Sequence, residues 1–393
     1  MSRVIIDSIS ISPQLASGIK NLEDIVQSDF QRARKYLSPF ALGHGPRAAI
    51  EARTKNPHHS GSSSQPSPSG TGRAITVNDA RSSNTWTGAN NVFKADATCQ
   101  STRKPVTVDY GSGSFTGTEY TGTFILGGQA SGLRIENQSF AVAKEAQGFD
   151  GVDGILGIGP VDLTSSTVAG ESSVPTVTDN AYKQGLISTE MIGISYQPSQ
   201  AEGGGNMANG SLMFGSVDKT KITSEVTWVP ITTQSPASKY WGIDQKITYG
   251  SSTESILELT AGIVDTGTTL IMIAEDAFLK YKALIGAEMD EKTSLLKLSA
   301  DKVKNLQSMY FHVGGTTFEL TANGQIWPRA LNAALGGDAD ACYLVFASTG
   351  QNSGSGLDFI NGFTFLQRFY SCYDVSGARV GLATTPWTEA ETN

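Results

Sequence analysis

An acidic loop that occurs twice is the feature that most constrains the fold of this chain. The sequence DARS at residues 79–82 recurs in altered form as DTGT at residues 265–268. Each loop is followed further along by apolar residues that end in glycine, ILG at 155–157 and FING at 359–362. An ordered pattern that occurs twice is typical of a duplicated structural unit. We therefore predict two related lobes with one acidic loop in each.

Short runs rich in Val, Ile, Thr and Tyr, broken by Gly and Asn, fill most of the chain after residue 74. Such runs predict strands, and the 393 residues leave room for two or three domains. Helical spacing is confined mainly to residues 15–37, 275–287 and 300–309. The sequence therefore predicts a mostly β protein with few helices.

The tract HHSGSSSQPSPSGTG at residues 58–72 separates the early helix from the β-rich body. Its composition cannot bury enough apolar surface to offset the entropy of ordering, so we expect a disordered linker. The predicted organisation has three parts: a helix and linker over residues 1–72, an N-terminal β-lobe over 73–222 and a C-terminal β-lobe over 223–393.

Charge, apolar run length and the absence of known motifs argue against several classes of function. The net charge of −8 argues against a nucleic-acid partner, and no apolar run is long enough to span a membrane. The chain has no HExxH pair and no GxSxG turn, so neither a zinc protease nor a serine hydrolase is expected. The three cysteines match no metal-site spacing and are expected to be free thiols, with one disulfide plus one thiol as the alternative. We expect no metal and no cofactor.

The residue types around the two loops point to paired carboxylates. An aspartate at the tip of a turn, flanked by hydroxyl residues and preceded by an apolar strand, is rigid and partly shielded from water. Two such carboxylates that meet between lobes share a proton, so that one acts as a base and the other as an acid. Taken alone, however, the loop at Asp265 also fits an ordinary turn in which aspartate caps a neighbouring N–H group.

A hairpin is predicted between the two loops. Val106, Val108 and Tyr110 alternate with polar residues, a Gly-Ser-Gly turn follows, and residues 115–124 return as a strand. On spacing alone this is an ordinary surface hairpin.

From about residue 74 to residue 392 the chain resembles the pepsin-like aspartic endopeptidases of family A1, and within them the secreted basidiomycete type. The resemblance implies a bilobal acid-protease fold, with two pseudo-symmetric β-lobes around a substrate cleft. It is carried by five ordered motifs: SSNTW at 82–86, YGSGSFTGTEYT at 110–121, FDGVDGILGIGPVDLT at 149–164, AGIVDTGTTL at 261–270 and FINGFTFLQRFYS at 359–371.

This resemblance assigns roles to individual residues. It implies that Asp79 and Asp265 form the catalytic dyad that holds the attacking water, and that Tyr110 lies at the tip of a flap near the indole of Trp86. Support of the two active-site loops falls to Ser82, Thr266, Gly267 and Thr268. Substrate contacts are implied for Tyr110, Gly111, Ser112, Trp86, Phe149, Ile155 and Ile263.

The resemblance also implies biological properties. The expected partner is a polypeptide substrate, statine-type compounds are expected to inhibit, and the protein is expected to be an extracellular monomer. The N-terminal sequence MSRVIIDSIS lacks the apolar core of a signal peptide. Residues 21–37 resemble the propeptide helix of the family's zymogens.

Departures from the family pattern are confined to the first loop and the residues before it. Ala80 stands where the family has Thr, and Arg81 stands where it has Gly, so the first loop loses a bracing hydroxyl and gains a bulky cation. Only AITV at residues 74–77 precedes this loop, which predicts an incomplete first lobe. A mis-joined exon and a degenerate gene product both fit these departures. Two functions follow: an acid endopeptidase, or a catalytically impaired relative that binds peptides or inhibitors.

Overall fold

A computed structural model describes ten stretches of the chain. They are residues 23–37, 75–78, 93, 95, 97–110, 113–126, 132–147, 154–198, 210–250 and 254–392, with the backbone alone described for 75–78. The predicted linker at 58–72 lies outside these stretches. So do the N-terminal residues 4–12 (VIIDSISIS), and the expectation of an incomplete first lobe therefore stays a prediction.

The described residues form a mostly β protein, as predicted, with sheets of five, seven, three and five strands. The strands alternate buried and exposed side chains where one face of a sheet meets solvent, and are buried on both faces where sheets are covered. Their bounds are β1 (Ile75–Asn78), β2 (Cys99–Asp109), β3 (Ser114–Leu126), β4 (Leu133–Gln147), β5 (Gly154–Ile155), β6 (Met191–Tyr196), β7 (Gly210–Phe214), β8 (Thr227–Pro230), β9 (Gly242–Tyr249), β10 (Glu254–Val264), β11 (Ile271–Ile273), β12 (Glu288–Met289), β13 (Leu296–Leu298), β14 (Met309–Val313), β15 (Thr316–Leu320), β16 (Cys342–Tyr343), β17 (Phe346–Ser348), β18 (Phe359–Asn361), β19 (Phe369–Asp374) and β20 (Arg379–Thr384).

The first lobe is built on the sheet β2-β3-β4-β1-β5. The long antiparallel strands β2, β3 and β4 carry most of it, and Val106, Val108 and Phe115 are buried on one face. The predicted hairpin is therefore present as β2 and β3. Strand β1 runs parallel to β4 and antiparallel to β5, and it ends directly before Asp79.

The second lobe contains the sheet β15-β14-β9-β10-β18-β11-β17. Its central strands are largely buried on both faces, and Ile243, Ile263 and Ile360 are each at most 1% exposed. A central strand of this kind is a rigid support for a loop that follows it.

A third large sheet, β7-β6-β19-β20-β8, takes strands from both predicted lobes. Strands β6 and β7 precede residue 222, whereas β8, β19 and β20 follow it. Because β6 pairs with β19 over Ser371↔Ile194 to Asp374↔Met191, backbone hydrogen bonds join the two halves of the chain.

Helices are few in the described part of the chain, as expected. They are α1 (Glu23–Tyr36), α2 (Val177–Lys183), α3 (Glu275–Ile285), α4 (Ala300–Val303) and α5 (Phe363–Leu366). None of these helices is long and apolar enough to cross a membrane.

The two helices predicted for the second lobe have different outcomes. Helix α3 coincides with the predicted segment 275–287 and ends at Gly286, whose φ of 66° suits a left-handed cap. The helix predicted over residues 300–309 is wrong beyond its first turn, since α4 ends at Val303 and β14 begins at Met309. Burial explains the difference, because Met309, Phe311 and Val313 alternate into the core as strand residues do.

All three cysteines are free thiols, as expected from their spacing. Cys342 and Cys372 are buried in the second half, whereas Cys99 is half-buried at the start of β2. Burial raises the pKa of the Cys342 thiol, which keeps it protonated and unreactive at neutral pH.

Candidate active site

Asp265 lies at the end of the central strand β10. The preceding residues Ile263 and Val264 pair in parallel with Ile360 and Asn361 of β18. The Asp265 N–H group then donates to the Asn361 carbonyl at 3.1 Å. The residue is 8% exposed, so its carboxylate is shielded from water without being sealed from it. This placement meets the expectation of a rigid aspartate at a turn that follows an apolar strand.

Donors from the loop itself fix the orientation of this carboxylate. The Gly267 N–H group donates to Oδ1 at 3.0 Å, and the Thr268 hydroxyl donates to Oδ2 at 2.7 Å. Hydrogen bonds to an ionised acceptor are stronger than those between neutral groups. Gly267 and Thr268 therefore hold the carboxyl plane in one orientation, whereas Thr266 makes no such contact with it in this structure.

Close backbone packing beneath the loop explains the glycine in the motif at 359–362. A Cβ atom on Gly362 would lie 2.2 Å from the Leu270 carbonyl oxygen and 2.6 Å from that of Thr268. The next residue, Phe363, donates its N–H group to the Thr268 carbonyl at 2.7 Å. The loop thus rests directly on α5, which only a glycine at this position permits.

A buried amide pair supports the same loop from the side. Gln245 of β9 and Asn361 of β18 exchange hydrogen bonds at 3.2 and 2.9 Å, and both side chains are fully buried. A fully satisfied pair of this kind fixes the register of the strands it joins. Sequence reasoning did not single out either residue, because isolated Gln and Asn carry no pattern.

The predicted substrate-binding residues are only partly described. Tyr110 is 4% exposed, its N–H group donates to the Gly113 carbonyl at 2.7 Å, and its ring stacks on Phe115 at 6.3 Å. Ile155 packs against the same apolar cluster, whereas Ile263 is 1% exposed inside the second lobe and lines no open surface. Asp79, Ser82, Trp86, Gly111, Ser112 and Phe149 lie outside the described residues.

The strand before Asp79 does not repeat the pairing of the strand before Asp265. Strand β10 runs parallel to β18, which carries the second apolar-glycine motif, FING. Strand β1 instead runs antiparallel to β5, which leads into the first such motif, ILG. The first copy also offers a strand of only four residues, against eleven in the second. A short strand has fewer backbone hydrogen bonds with which to define its register. The strand arrangement before the first acidic loop is therefore related to that before the second but does not repeat it.

Helix α1 lies against the Asp265 loop, a contact that the sequence did not reveal. The Tyr36 hydroxyl donates to Asp265 Oδ2 at 2.9 Å. The guanidinium of Arg32 lies over Gly267, where a Cβ atom would come within 2.6 Å of its Nη1 atom. The carboxylate of Asp29 accepts the N–H groups of Thr269 and Leu270 at 2.9–3.1 Å.

These contacting residues share one face of the helix. Asp29, Arg32 and Tyr36 recur at intervals of three and four residues. Such spacing was the only available signal, and it could not identify what the face contacts. Away from the loop, Lys35 forms an ion pair with Asp109 at the end of β2, so α1 touches both lobes.

Burial changes the protonation of Asp29. The side chain is 2% exposed, and burial raises its pKa to about 7, although the N–H groups of Leu270 and Thr269 and the charge of Arg32 act in the opposite direction. The aspartate is therefore largely neutral in the docked helix below this pH.

The arrangement can orient a carboxylate as a general base or acid, and it is covered by α1. Among the described residues no cluster of His, Cys, Asp and Glu could hold a metal ion. By itself, the carboxylate of Asp265 offers proton transfer, as a general base when ionised and as a general acid when protonated.

Comparisons with known proteins agree with this geometry. The family model described as eukaryotic aspartyl protease matches residues 76–385. Polyporopepsin from Irpex lacteus is 55% identical over 317 residues, which are 80% of this chain and 91% of that protein. Rhizopuspepsin-1 from Rhizopus niveus is 32% identical over 70% of this chain and 63% of its own length. The crystal structure of the aspartic proteinase from Irpex lacteus matches with a TM-score of 0.74 and 52% identity, over 81% of this chain and 95% of that one.

Proposed function

Because this chain belongs to the pepsin-like family of eukaryotic aspartyl proteases, we propose that Asp265 and Asp79 form its catalytic dyad and that α1 is a propeptide helix. The protein is an aspartic endopeptidase, a hydrolase that cleaves peptide bonds in polypeptide substrates. The proposal for Asp265 rests on one observation above all: its carboxylate ends a central strand and is oriented by Gly267 and Thr268.

The chemistry follows from two carboxylates that share one proton. The ionised aspartate takes a proton from a water molecule as the water oxygen adds to the peptide carbonyl carbon, and the protonated aspartate gives its proton to the carbonyl oxygen. Collapse of the resulting diol breaks the C–N bond as the nitrogen receives a proton. The pair needs one carboxylate ionised and one protonated, so we propose that it works at acid pH.

Helix α1 covers the carboxylate that this mechanism requires. A substrate group or catalytic water can hydrogen-bond to Asp265 Oδ2 in place of the Tyr36 hydroxyl only after this hydroxyl has left. We therefore propose that residues 23–36 keep the newly made protein inactive and that activation removes or displaces this helix.

Further properties follow from the family. We propose an extracellular, monomeric enzyme that statine-type compounds inhibit, since such compounds imitate the tetrahedral diol. The pair Tyr110 and Ile155 is proposed to contact the substrate from the first lobe.

The test is acid proteolysis of a denatured protein substrate by Asp265→Asn and by a matched control. Asparagine cannot share the proton, so we expect turnover to fall by at least about a thousandfold. Asp301→Asn makes the same chemical change at a side chain that is 98% exposed, and it should leave turnover unchanged. Full activity of Asp265→Asn would overturn the aspartic mechanism.

A further inference from the structure

The backbone of Val264, the residue directly before Asp265, is held by two aromatic residues. The Val264 N–H group donates to the Trp241 carbonyl at 3.0 Å, and the Val264 carbonyl accepts from the Tyr373 hydroxyl at 3.3 Å. Both aromatic side chains are at most 5% exposed. The position of the carboxylate along its strand thus depends on Trp241 and Tyr373.

These two aromatic residues form a stacked pair that joins two sheets. Their ring centroids are 4.8 Å apart with an interplanar angle of 11°. Trp241 directly precedes β9 of the seven-stranded sheet, and Tyr373 belongs to β19 of the sheet shared by the two halves. Buried, stacked rings have little freedom to rotate, so the pair is a stiff connection.

The indole of Trp241 also reaches the first lobe. Its Nε1–H group donates to the Ile158 carbonyl at 3.2 Å. Ile158 lies three residues after β5, which pairs with β1 through Thr76↔Ile155 and Val77↔Gly154. Trp241 therefore connects the first-lobe backbone near β5, through its indole, to the backbone before Asp265, through its main-chain carbonyl. In the sequence, β1 is followed directly by Asp79.

We propose that Trp241 is a positioning residue that sets where the Asp265 loop lies relative to β5 and β1 of the first lobe. The inference rests on the function proposed above. Two carboxylates that share a proton interact more strongly as they approach, so their macroscopic pKa values depend on the distance between them. A change in that distance should alter the pH dependence of turnover more than the binding of substrate.

The test compares two buried tryptophans in the full chain. Trp241→Phe keeps an aromatic ring for the stack and removes the donor to Ile158. Trp327→Phe is the matched control, because the Trp327 side chain is 3% exposed and its Nε1 atom has no hydrogen-bond partner among the described residues. Both variants lose the same volume from the core, so both should melt at a lower temperature.

The readouts are kcat, KM and the pH profile of kcat with a chromogenic peptide substrate. For Trp241→Phe we expect kcat to fall about fivefold to tenfold with KM nearly unchanged, and the two limbs of the pH profile to move relative to each other. Trp327→Phe should keep both limbs in place. Tyr373→Phe loses the hydroxyl that donates to the Val264 carbonyl. It should move the two limbs of the pH profile of kcat in the same directions as Trp241→Phe does.

Each result decides one question. If Trp241→Phe and Trp327→Phe have the same kcat and the same pH profile, the positioning role is wrong. If Asp265→Asn retains activity, the function proposed above is wrong instead. Should turnover of the full chain be too low to measure, the pH dependence of the affinity for a statine-type inhibitor replaces kcat, and an unchanged dependence in Trp241→Phe overturns the inference.

Discussion

Replacement of Asp29 by asparagine tests how α1 is held on the Asp265 loop. The pKa of the buried aspartate is about 7 in the docked helix, against an ordinary value of 3.8. Docking therefore retains a proton that the undocked helix loses above about pH 4. It follows that the contribution of Asp29 to docking is fully present below pH 4 and is lost as the pH rises through about 7.

The magnitude follows from the size of this pKa difference. A difference of about three units corresponds to roughly 4 kcal/mol of docking free energy at pH 8, since each unit corresponds to about 1.4 kcal/mol. The amide introduced by Asp29→Asn is neutral at every pH and keeps one carbonyl oxygen for the N–H groups of Thr269 and Leu270. This substitution should thus strengthen docking at pH 8 and leave it nearly unchanged at pH 4.

Hydrogen exchange of the Thr269 and Leu270 amides measures this docking directly. Corrected for intrinsic rates, their protection at pH 8 should rise in Asp29→Asn, by up to about a thousandfold. The control is Asp109→Asn, which removes a half-exposed partner of Lys35 on the same helix and should weaken docking at pH 8. Equal loss of protection in Asp29→Asn at both pH values would mean that Asp29 is bound as a carboxylate, and the reasoning from burial would fail.

Three further predictions concern the same site. Tyr36→Phe removes a donor to the Asp265 carboxylate, so acid proteolysis by the full, uncleaved chain should rise about fivefold. Gly362→Ala brings a Cβ atom against the Leu270 carbonyl and should lower the free energy of unfolding in urea by about 1–3 kcal/mol or more; an unchanged midpoint would mean that α5 can move away. Ala80→Thr combined with Arg81→Gly should raise turnover at least about tenfold, and a folded but inactive double variant would assign the defect to the strands before the loop.

Sequence patterns were sufficient for the fold class and for the second acidic loop. The alternation in Val106 and Val108 predicted a hairpin, and the apolar run before Asp265 predicted a buried strand, because both patterns follow from local periodicity. The segment 300–309 was predicted as a helix from its local spacing, whereas the burial of Met309 and Phe311 is decided by strands outside the segment, the adjacent β15 and the distant β9.

Contacts between distant residues could not be predicted in the same way. The hydrogen bonds from the Leu270 N–H group to Asp29 and from the Trp241 indole to Ile158 join residues that share no pattern. Helical spacing shows that a face exists, but it does not identify the surface that the face meets. The roles assigned to Asp79 and Trp86 stay predictions from resemblance.

The contact between α1 and the Asp265 loop also depends on the order of synthesis. Asp29 leaves the ribosome 241 residues before its partner Leu270. At about 5–20 residues per second, this interval is on the order of ten seconds to a minute. A helix of 14 residues is marginal in isolation, so α1 gains its stable form only when the last third of the chain supplies a surface. The Asp265 carboxylate is then covered by a helix whose residues were synthesised earlier, so the second loop is never completed before the helix residues of the same chain are present.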